Sequence, residues 1–292
     1  MLTDPLERMD IEVPARRPGI ARCVATIISP DFESMLDDML GSLAANGACD
    51  DARVVVFVLR GSPGCDEVIA RHDAVQIACR ARHGVNVASK SVLYSVARMV
   101  EADSYLCLDA DMLVLSSLAP VFSMVEDSPS ERVFACAEGN GDRHGDLGGA
   151  LLDRYGGEPG DIERMLGTSG DEARYPFVVN DGLFAGGRDA MLALDEEMRA
   201  MPGAVAWLDE RPDLPWRNEF VFNLALARLR YGAELPQGYN VQLDAGEVDV
   251  GEDGSGRLRV SREGDPVRVL HLNGRGRTKY PQLRGRFAAQ AR

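Results

Sequence analysis

The first half of the chain alternates short apolar runs with longer segments in which an apolar residue recurs every three or four positions. The run from Arg22 to Ser29 has the length and β-branched content of a strand, and the next segment keeps helical spacing until about Gly47. Changes of this kind recur through residue 109 and predict the order βαβαβαβ. That order indicates a parallel, doubly wound α/β sheet with right-handed crossovers. The remaining predicted elements are strands at 53–59, 74–79 and 104–109 and helices at 66–71 and 89–102, the last with Ser89 as its N-cap.

The second half is less regular. A predicted strand at 132–137 is followed by a glycine-rich, acidic segment, 138–175, which has a helical pattern only at 162–166. Long segments of this type inside a domain are usually lids, binding loops or disordered insertions, so we predict one of these here. Regular patterns then return, with strands at 177–184 and 268–272, helices at 189–201 and 219–231, and a hairpin turn at 251–256.

Two carboxylates interrupt the apolar run between Ser104 and Leu115. A strand buried on both faces tolerates such charge only where it emerges from the sheet, because burying unpaired charge is costly. Asp109 and Asp111 should therefore lie at the carboxyl end of their strand, where open α/β sheets bind ligands. Side chains at i and i+2 of an extended backbone point the same way, so both acids can bind one divalent cation. The alternative is a surface turn that happens to carry two acids.

The composition is that of a folded protein without membrane or secretion signals. With 292 residues, 45% of them hydrophobic, the chain can bury the core of one large α/β domain. It contains no apolar run of about 18 residues, and its acidic start is interrupted by Pro5, unlike a signal peptide. We therefore expect a cytoplasmic protein. The six cysteines lack C-x-x-C spacing, which predicts reduced core residues rather than a zinc site or disulfides.

Charge is distributed unevenly along the chain. The net charge of −14 argues against a nucleic-acid partner, which requires a basic surface. Residues 268–292 nevertheless contain seven cations and no acid. They form either an anion site, a solvated basic tail or a weak contact with anionic lipid headgroups. Of 32 Lys and Arg residues, only Lys90 and Lys279 are lysines. They mark positions where a compact ammonium is useful, as at a phosphate, unless they persist by chance.

Five short motifs place polar residues beside the predicted strands and helices. They are Ser89-Lys90-Ser91-Val92-Leu93, Asp109-Ala110-Asp111-Met112-Leu113-Val114, Asn180-Asp181-Gly182-Leu183-Phe184, Asn218-Glu219-Phe220-Val221-Phe222-Asn223, and His271-Leu272-Asn273-Gly274 followed by Lys279-Tyr280-Pro281. The second resembles D-A-D-x-L-V, the third F-N-[AS]-G-V, the fourth D-Q-x-x-[LF]-N and the fifth H-[FY]-x-G-x-x-K-P-W. In this order they resemble the motifs of glycosyltransferase family 8, the group of glycogenin and the bacterial lipopolysaccharide glucosyl- and galactosyltransferases. The resemblance covers roughly residues 22–285.

The resemblance implies a single GT-A domain over residues 1–292, with a Rossmann-like, mostly parallel sheet flanked by helices. Residues 22–137 then form the nucleotide-binding half, 176–285 form the half for the donor sugar and the acceptor, and 138–175 is the acceptor lid. The implied reaction moves a hexose from a UDP-sugar, with Mn²⁺ or Mg²⁺ as cofactor and retention of anomeric configuration. The acceptor stays open between a glycan, a lipid-linked sugar, a protein hydroxyl and a small metabolite.

The family pattern also assigns roles to individual residues. Its metal ligands fall on Asp109, Asp111 and His271, and two carboxylates, one imidazole and diphosphate oxygens make an octahedral set suited to Mn²⁺ or Mg²⁺. The implied donor-binding residues are Ser29, Asp31 and Phe32 near the nucleobase, with Lys90, Asp109, Ala110, Asn180, Gly274, Arg277 and Lys279 near the diphosphate and the sugar.

Two departures from the family pattern bear on the catalytic residues. Asn218-Glu219 replaces Asp-Gln, and Asp181 is an acid where the family has a small residue. We expect Asp181, Glu219 or Asn218 to act on the donor sugar or on the acceptor hydroxyl. One alternative is a catalytically inactive relative that binds a nucleotide-sugar. Another is a haloacid-dehalogenase-like phosphatase, although that fold carries its D-x-D on the first strand and three predicted strands precede Asp109 here.

Overall fold

The computed structural model describes residues 1–12, 19–29, 32–46, 51–82, 87–137, 178–201, 210, 217–243, 248–252 and 258–273. These residues form the predicted α/β fold, a large sheet flanked by helices. The strands are β1 (Leu2–Thr3), β2 (Met9–Ile11), β3 (Ile20–Ile28), β4 (Ala52–Leu59), β5 (Val75–Ala81), β6 (Ala102–Asp109), β7 (Met112–Val114), β8 (Val133–Ala137), β9 (Val179–Gly187), β10 (Gly232–Glu234), β11 (Val241–Gln242), β12 (Asp249–Glu252), β13 (Leu258–Arg262), β14 (Asp265–Pro266) and β15 (Val269–His271). The helices are α1 (Glu33–Ala45), α2 (Pro63–Arg71), α3 (Val96–Met99), α4 (Ala119–Glu126), α5 (Arg188–Arg199) and α6 (Arg217–Leu229), with 3₁₀ helices at Val87–Ser95 and Gln237–Tyr239.

Among the described residues, the central sheet has nine strands in the order β1-β2-β5-β4-β3-β6-β9-β8-β10. Its middle strands β5, β4, β3 and β6 are parallel to one another, as the βαβ pattern predicts. β9 is antiparallel to both of its neighbours, β6 and β8, while β8 and β10 are parallel. Because β6 and β9 run in opposite directions, the carboxyl end of β6 meets the amino end of β9.

Helices cover both faces of this sheet. On β4, Val55 and Phe57 belong to the apolar cluster that includes α5 and α6, whereas Val56 and Val58 belong to the cluster that includes α1, α2 and α4. Both sets are buried because successive strand residues point to opposite faces. A strand covered on both sides must be apolar throughout, which is the pattern that identified it in the sequence.

A second sheet, with three strands in the described part of the chain and the order β11-β15-β7, lies beside the end of β6. Two residues separate β6 from β7, and β15 pairs with β7 antiparallel, with His271 opposite Met112. The main-chain N–H of Leu272 also donates to the carbonyl of Asp111 at 2.9 Å. A strand from late in the chain is thereby fixed beside the D-A-D acids.

The segment that precedes β6 is not the continuous helix predicted over 89–102. It forms a 3₁₀ helix to Ser95, one α-helical turn at α3 and extended backbone from Val100. Serine is a poor residue for a helix interior, and here the hydroxyls of Ser91 and Ser95 donate to the buried carboxylates of Asp4 and Asp195. These side-chain bonds fasten the segment in the tighter helix.

The N-terminal hairpin of β1 and β2 was not predicted. β2 pairs antiparallel with β5, with Met9 opposite Ala81, so the hairpin extends the central sheet at its edge. Strands of two and three residues are too short to give a periodic signal, which explains the omission.

Some of the other sequence predictions are confirmed, and some concern residues outside the described part of the chain. β12 and β13 pair antiparallel as the predicted hairpin requires, but residues 253–257 lie outside the described part of the chain. The segment 138–175, with its helical pattern at 162–166, also lies outside it. No helix within the described ranges has the length and apolarity needed to cross a membrane. The described cysteines are buried and free, as predicted: Cys23, Cys65, Cys79, Cys107 and Cys136.

Asp4 fastens the N-terminal hairpin to the 3₁₀ helix before β6. Its carboxylate is fully buried, which raises its pKa, and it accepts hydrogen bonds from the N–H of Leu6 at 3.1 Å, the N–H of Met9 and the hydroxyl of Ser91. Two carboxylate oxygens thus satisfy three buried donors.

We expect Asp4→Asn to lower the free energy of unfolding by about 1–3 kcal/mol, because an amide has one acceptor oxygen and leaves a buried donor without a partner. Urea unfolding at pH 7 measures the change. Asp10→Asn is the matched control, since Asp10 lies on the same hairpin and its partner Arg82 is exposed. We expect the control to unfold at the wild-type midpoint, and equal losses in both variants would contradict the role given to Asp4.

Candidate active site

The two acids of the D-A-D motif lie at the carboxyl end of β6, in the middle of the sheet. Asp109 is the last residue of β6, Ala110 and Asp111 form a turn, and β7 follows at once. The extended i, i+2 geometry expected from the sequence is therefore wrong, and the acids come together because the backbone turns between them. Asp111 and Ala110 are 6% and 8% exposed, so this is not a surface turn.

His271 completes the acidic pair. Its Nε2 lies 3.3 Å from Oδ1 of Asp111 and 3.5 Å from Oδ2 of Asp109. The three side chains offer ligand atoms that all lie within 4.8 Å of one another. Adjacent ligands of an octahedral divalent cation are about 3 Å apart, so the spacing is close to that of a metal site. Two carboxylates and an imidazole are also a chemically suitable donor set for such an ion.

A chain of side-chain amides sets the tautomer of His271. Oδ1 of Asn180 accepts the main-chain N–H of Gly182 at 3.0 Å and Nδ2 of Asn240 at 2.8 Å. Because Asn240 donates there through Nδ2, its Oδ1 is an acceptor, and this atom lies 3.0 Å from Nδ1 of His271. Nδ1 therefore carries the proton, and the lone pair of Nε2 faces the two carboxylates. Three electron-rich atoms around one point favour a cation or a proton between them.

The titration of the cluster reflects this crowding. Burial raises the pKa of Asp109 to about 6, although the charges of Lys90 and His271 act to lower it. Burial alone would lower the pKa of His271, but the charges of Asp111 and Asp109 outweigh it and raise the pKa above its usual value. Protons therefore compete for both groups more strongly than for a free aspartic acid or a free histidine.

Lys90 supplies positive charge next to the acids. Its Nζ lies 2.8 Å from the carboxylate of Asp109 and 2.8 Å from Oδ1 of Asp181. Burial would lower the pKa of Lys90, but the charges of Asp109 and Asp181 raise it overall, so the side chain stays an ammonium. The ammonium of Lys90 is thereby shared between the carboxylates of Asp109 and Asp181.

A polar network continues from Lys90 to the amino ends of β9 and α6. Oδ2 of Asp181 accepts Nδ2 of Asn218 at 2.6 Å and the hydroxyl of Tyr94. Nδ2 of Asn180 donates to Oε2 of Glu219 at 3.0 Å. Both acids are buried, and both oxygens of Asp181 are engaged, which leaves that carboxylate anchored within the protein.

Asn223 holds α6 against β9. Its Oδ1 accepts the N–H of Val179 at 2.8 Å, and its Nδ2 donates to the carbonyls of Val179 at 3.0 Å and Glu219 at 2.9 Å. These bonds place the first turn of α6, with Asn218 and Glu219, beside the start of β9. The amide of a fully buried asparagine thus aligns the two elements that carry the network.

Gly182 makes the approach of His271 to β9 sterically feasible. A Cβ atom at this position would lie 2.5 Å from Cε1 of His271, 2.8 Å from its Nδ1 and 2.7 Å from Oδ1 of Asn180. Real Cβ atoms do not approach other atoms so closely, and the imidazole would have to move. The small residue is therefore required by the packing of the ring.

The structure brings most of the predicted site residues into one connected cluster, namely Lys90, Asp109, Ala110, Asp111, Asn180, Asp181, Asn218, Glu219 and His271. Ser29 and Phe32 lie between β3 and α1, close to this edge, because β3 neighbours β6 with Ile27 opposite Asp109. Phe32 is partly buried against the apolar cluster that includes α1. The other predicted donor-binding residues lie outside the described part of the chain: Asp31, Gly274, Arg277 and Lys279.

Sequence reasoning missed three members of the cluster. Tyr94 lies within the predicted helix at 89–102 and was not singled out there. Asn240 lies before a short strand that was not predicted, and Asn223 was given no role. For Asn223 the available signal was a polar residue within an apolar stretch, whereas Asn240 has polar residues nearby and gave no such signal. Both residues are buried. A buried amide needs hydrogen-bond partners and so marks a constrained position.

The chain matches no protein-family model and none of the curated proteins. Similarity is found in the fold. A structure of the galactosyltransferase LgtC in complex with donor and acceptor sugar analogues has a TM-score of 0.56 and 14% identity, over 92% of this chain and 95% of that one. An active-site mutant of LgtC has a TM-score of 0.54 and 14% identity, over 90% and 95%. The apo-form glycosyltransferase GlyE of Streptococcus pneumoniae TIGR4 has a TM-score of 0.55 and 12% identity, over 93% of this chain and 60% of that one.

These structural neighbours define the class of fold. The mixed sheet flanked by helices on both faces is that of the GT-A glycosyltransferases, as the sequence motifs predict. At 14% identity the likeness concerns the fold alone, and the chemistry has to be argued from the side chains of this chain.

Gly182→Ala should weaken the binding of Mn²⁺ at least tenfold, because the new methyl group displaces the imidazole of His271. Titration calorimetry with MnCl₂ measures the affinity. Gly187→Ala is the matched control on the same strand. A Cβ atom there would lie 3.9 Å from the main-chain carbonyl oxygen of Asp103, which is an ordinary van der Waals contact. The control should bind Mn²⁺ like the wild type. Undiminished binding by Gly182→Ala would show that His271 does not depend on this close approach.

The affinity for Mn²⁺ should also depend on pH. A metal ion requires the ionised carboxylate of Asp109 and the neutral imidazole of His271, and both pKa values are raised, that of Asp109 to about 6. Protons therefore compete more strongly as the pH falls, and we expect the affinity to drop about tenfold or more between pH 8 and pH 5.5. Calorimetry at several pH values tests this, and a pH-independent affinity would contradict the assignment of these ligands.

Proposed function

We propose that the protein is a metal-dependent glycosyltransferase that moves a hexose from a UDP-sugar to an acceptor, with retention of configuration at the anomeric carbon. The observation that carries the proposal is the meeting of Asp109, Asp111 and His271 beside the buried ammonium of Lys90, at the carboxyl end of β6. LgtC, which shares the fold, has been seen with donor and acceptor sugar analogues.

The cluster supplies what cleavage of a sugar–diphosphate bond needs. Cleavage of this bond leaves additional negative charge on the departing phosphate. A divalent cation at this position would stabilise that charge as it develops. Asp109, Asp111 and His271 hold the cation, and a site with an imidazole nitrogen is better suited to Mn²⁺ than to Mg²⁺, which prefers oxygen ligands. We assign a phosphate oxygen to Lys90, and the same role to Lys279 or Arg277.

The start of β9 and the first turn of α6 are proposed to face the sugar. Asn180, Asn218 and Glu219 present amide and carboxylate groups there, held by the bonds to Asp181 and Asn223. A front-face route, in which the leaving phosphate assists the acceptor hydroxyl, needs no enzymic nucleophile. The uracil is assigned to Ser29, Asp31 and Phe32, and residues 138–175 to the acceptor side.

The two alternatives differ in their support. A haloacid-dehalogenase-like phosphatase is disfavoured, because that fold carries its D-x-D on the first strand, whereas five strands precede β6 among the described residues and Asp109 lies beside His271. A catalytically inactive protein that binds a nucleotide-sugar would keep the same cluster. Turnover is what separates this alternative from the enzyme.

Incubation with Mn²⁺ and a panel of UDP-hexoses should give slow hydrolysis of at least one donor, measured as released UDP, and EDTA should abolish it. Asp109→Asn should lower the rate about 100-fold or more while circular dichroism stays unchanged, because the cluster loses one ligand charge. Asp103→Asn is the matched control, an exposed acid on the same strand that should retain the wild-type rate.

The negative results have distinct meanings. Tight binding of UDP with Mn²⁺ but no turnover of any donor would support the inactive binding protein. A wild-type protein that neither binds nor hydrolyses any nucleotide-sugar would overturn the proposed function.

A further inference from the structure

Tyr94 is a fully buried tyrosine that the proposed reaction does not use. Its ring stacks on Phe222, with the centroids 5.1 Å apart and the planes at 18°, and it also packs against Phe184 at 5.6 Å. Its hydroxyl donates to Oδ2 of Asp181, and its oxygen accepts Nδ2 of Asn218 at 3.3 Å. Two aromatic neighbours thus fix the ring, and the ring fixes the position of the hydroxyl.

These contacts leave the amide of Asn218 only one favourable orientation. Its Nδ2 donates to Oδ2 of Asp181 at 2.6 Å and to the oxygen of Tyr94. A carboxylate can only accept, and the proton of Tyr94 is already given to Asp181, so a reversed amide would place Oδ1 against atoms with no hydrogen to offer. The nitrogen of Asn218 is therefore turned toward Asp181 and Tyr94, and its carbonyl oxygen is turned away from them.

The carbonyl oxygen of Asn218 lacks a hydrogen-bond donor among the described residues. Oδ1 is buried and has no hydrogen-bond partner among the residues that the structure describes, and the whole residue is 2% exposed. A buried acceptor without a donor is rare in folded proteins, because it has lost its hydrogen bonds to water and gained nothing in return. A ligand hydroxyl that reached this atom would provide the missing donor.

We propose that Tyr94 and Asp181 are positioning residues that turn the carbonyl oxygen of Asn218 toward the donor sugar, so that residue 218 acts there as a hydrogen-bond acceptor. The inference rests on the proposed function, because it takes a sugar hydroxyl as the partner of Oδ1. It also gives Asp181 a role other than general base. Its Oδ1 is bonded to Lys90 and its Oδ2 to Tyr94 and Asn218, so it acts through its neighbours.

The same contacts explain why position 181 is acidic and position 218 is an amide. Two carboxylates at 2.6 Å would repel each other, so one of the pair has to be neutral. In Asp181→Asn, we expect Lys90 to donate to the oxygen of the new amide, so that the new NH₂ group points at residue 218. The amide of Asn218 must then reverse, and it presents NH₂ instead of C=O to the sugar.

Exchanging the two residues should undo this reversal. In the double variant Asp181→Asn/Asn218→Asp, the carboxylate at 218 accepts from the new amide and from Tyr94 through one oxygen. Its other oxygen replaces the carbonyl of Asn218. The acceptor that faces the sugar is thereby restored, although both residues have changed.

The test measures the sugar contribution, defined as the ratio of the Kd of UDP to the Kd of a UDP-hexose, by calorimetry with Mn²⁺. UDP-glucose and UDP-galactose are the probes. We expect Asp181→Asn to lower this ratio about tenfold and Tyr94→Phe about threefold, and the double variant to return to within about threefold of the wild type. The ratio cancels any change in phosphate binding that comes through Lys90.

Tyr105→Phe is the matched control. Tyr105 is also buried, and its hydroxyl donates to the carbonyl of Val100 at 2.7 Å, outside the site. Its removal should leave the ratio unchanged. A loss in Tyr105→Phe equal to that in Tyr94→Phe would mean general destabilisation and would overturn the inference.

The remaining outcomes separate the two proposals. Unchanged ratios in Asp181→Asn and Tyr94→Phe, a double variant no better than Asp181→Asn, or a wild-type ratio of one would each reject the positioning role and leave the proposed function standing. A wild-type protein that binds neither UDP nor a UDP-hexose with Mn²⁺ would reject both.

Discussion

The site depends on three electron-rich side chains held around one point. Asp109 and Asp111 reach it through the turn after β6, and His271 reaches it on β15, with the lone pair of Nε2 facing both carboxylates. Such an arrangement is unfavourable without positive charge at its centre. The surrounding structure therefore restrains each member, by hydrogen bonds to His271 and Asp111 and by the ammonium next to Asp109.

The topology of the sheet explains why the sugar side of the site is attached to the same frame. β9 is antiparallel to β6, so Asn180 and Asp181 at its start lie beside Asp109 at the end of β6. The first turn of α6 is drawn to this point by Asn223, and the 3₁₀ helix before β6 brings Lys90 to it. One edge of a single sheet thus collects side chains from five separate elements.

Much of this fold was predictable from the sequence, because strands buried on both faces leave continuous apolar runs and helices leave periodic ones. The position of Asp109 was predictable for the same reason, as charge inside such a run marks the end of a strand. The partners were not predictable by this reasoning. Tyr94 and Asp181 are 87 residues apart, and Asn240 and His271 are 31 apart, so no local pattern relates them. The turn at Ala110 and the 3₁₀ helix also escaped prediction, because tertiary bonds rather than local propensity determine them.

The position of β15 in the small sheet has a consequence for synthesis of the protein. β15 lies between β7 and β11, although it is the last strand in the described chain. During translation, His271 is therefore synthesised long after Asp109 and Asp111, and more than half of the residues in the sequence lie between them. Contacts of such long sequence separation form late in folding. A nascent chain that stops short of residue 271 has the central strands but not the three-ligand set, so the cluster of Asp109, Asp111 and His271 can form only after residue 271 has been synthesised.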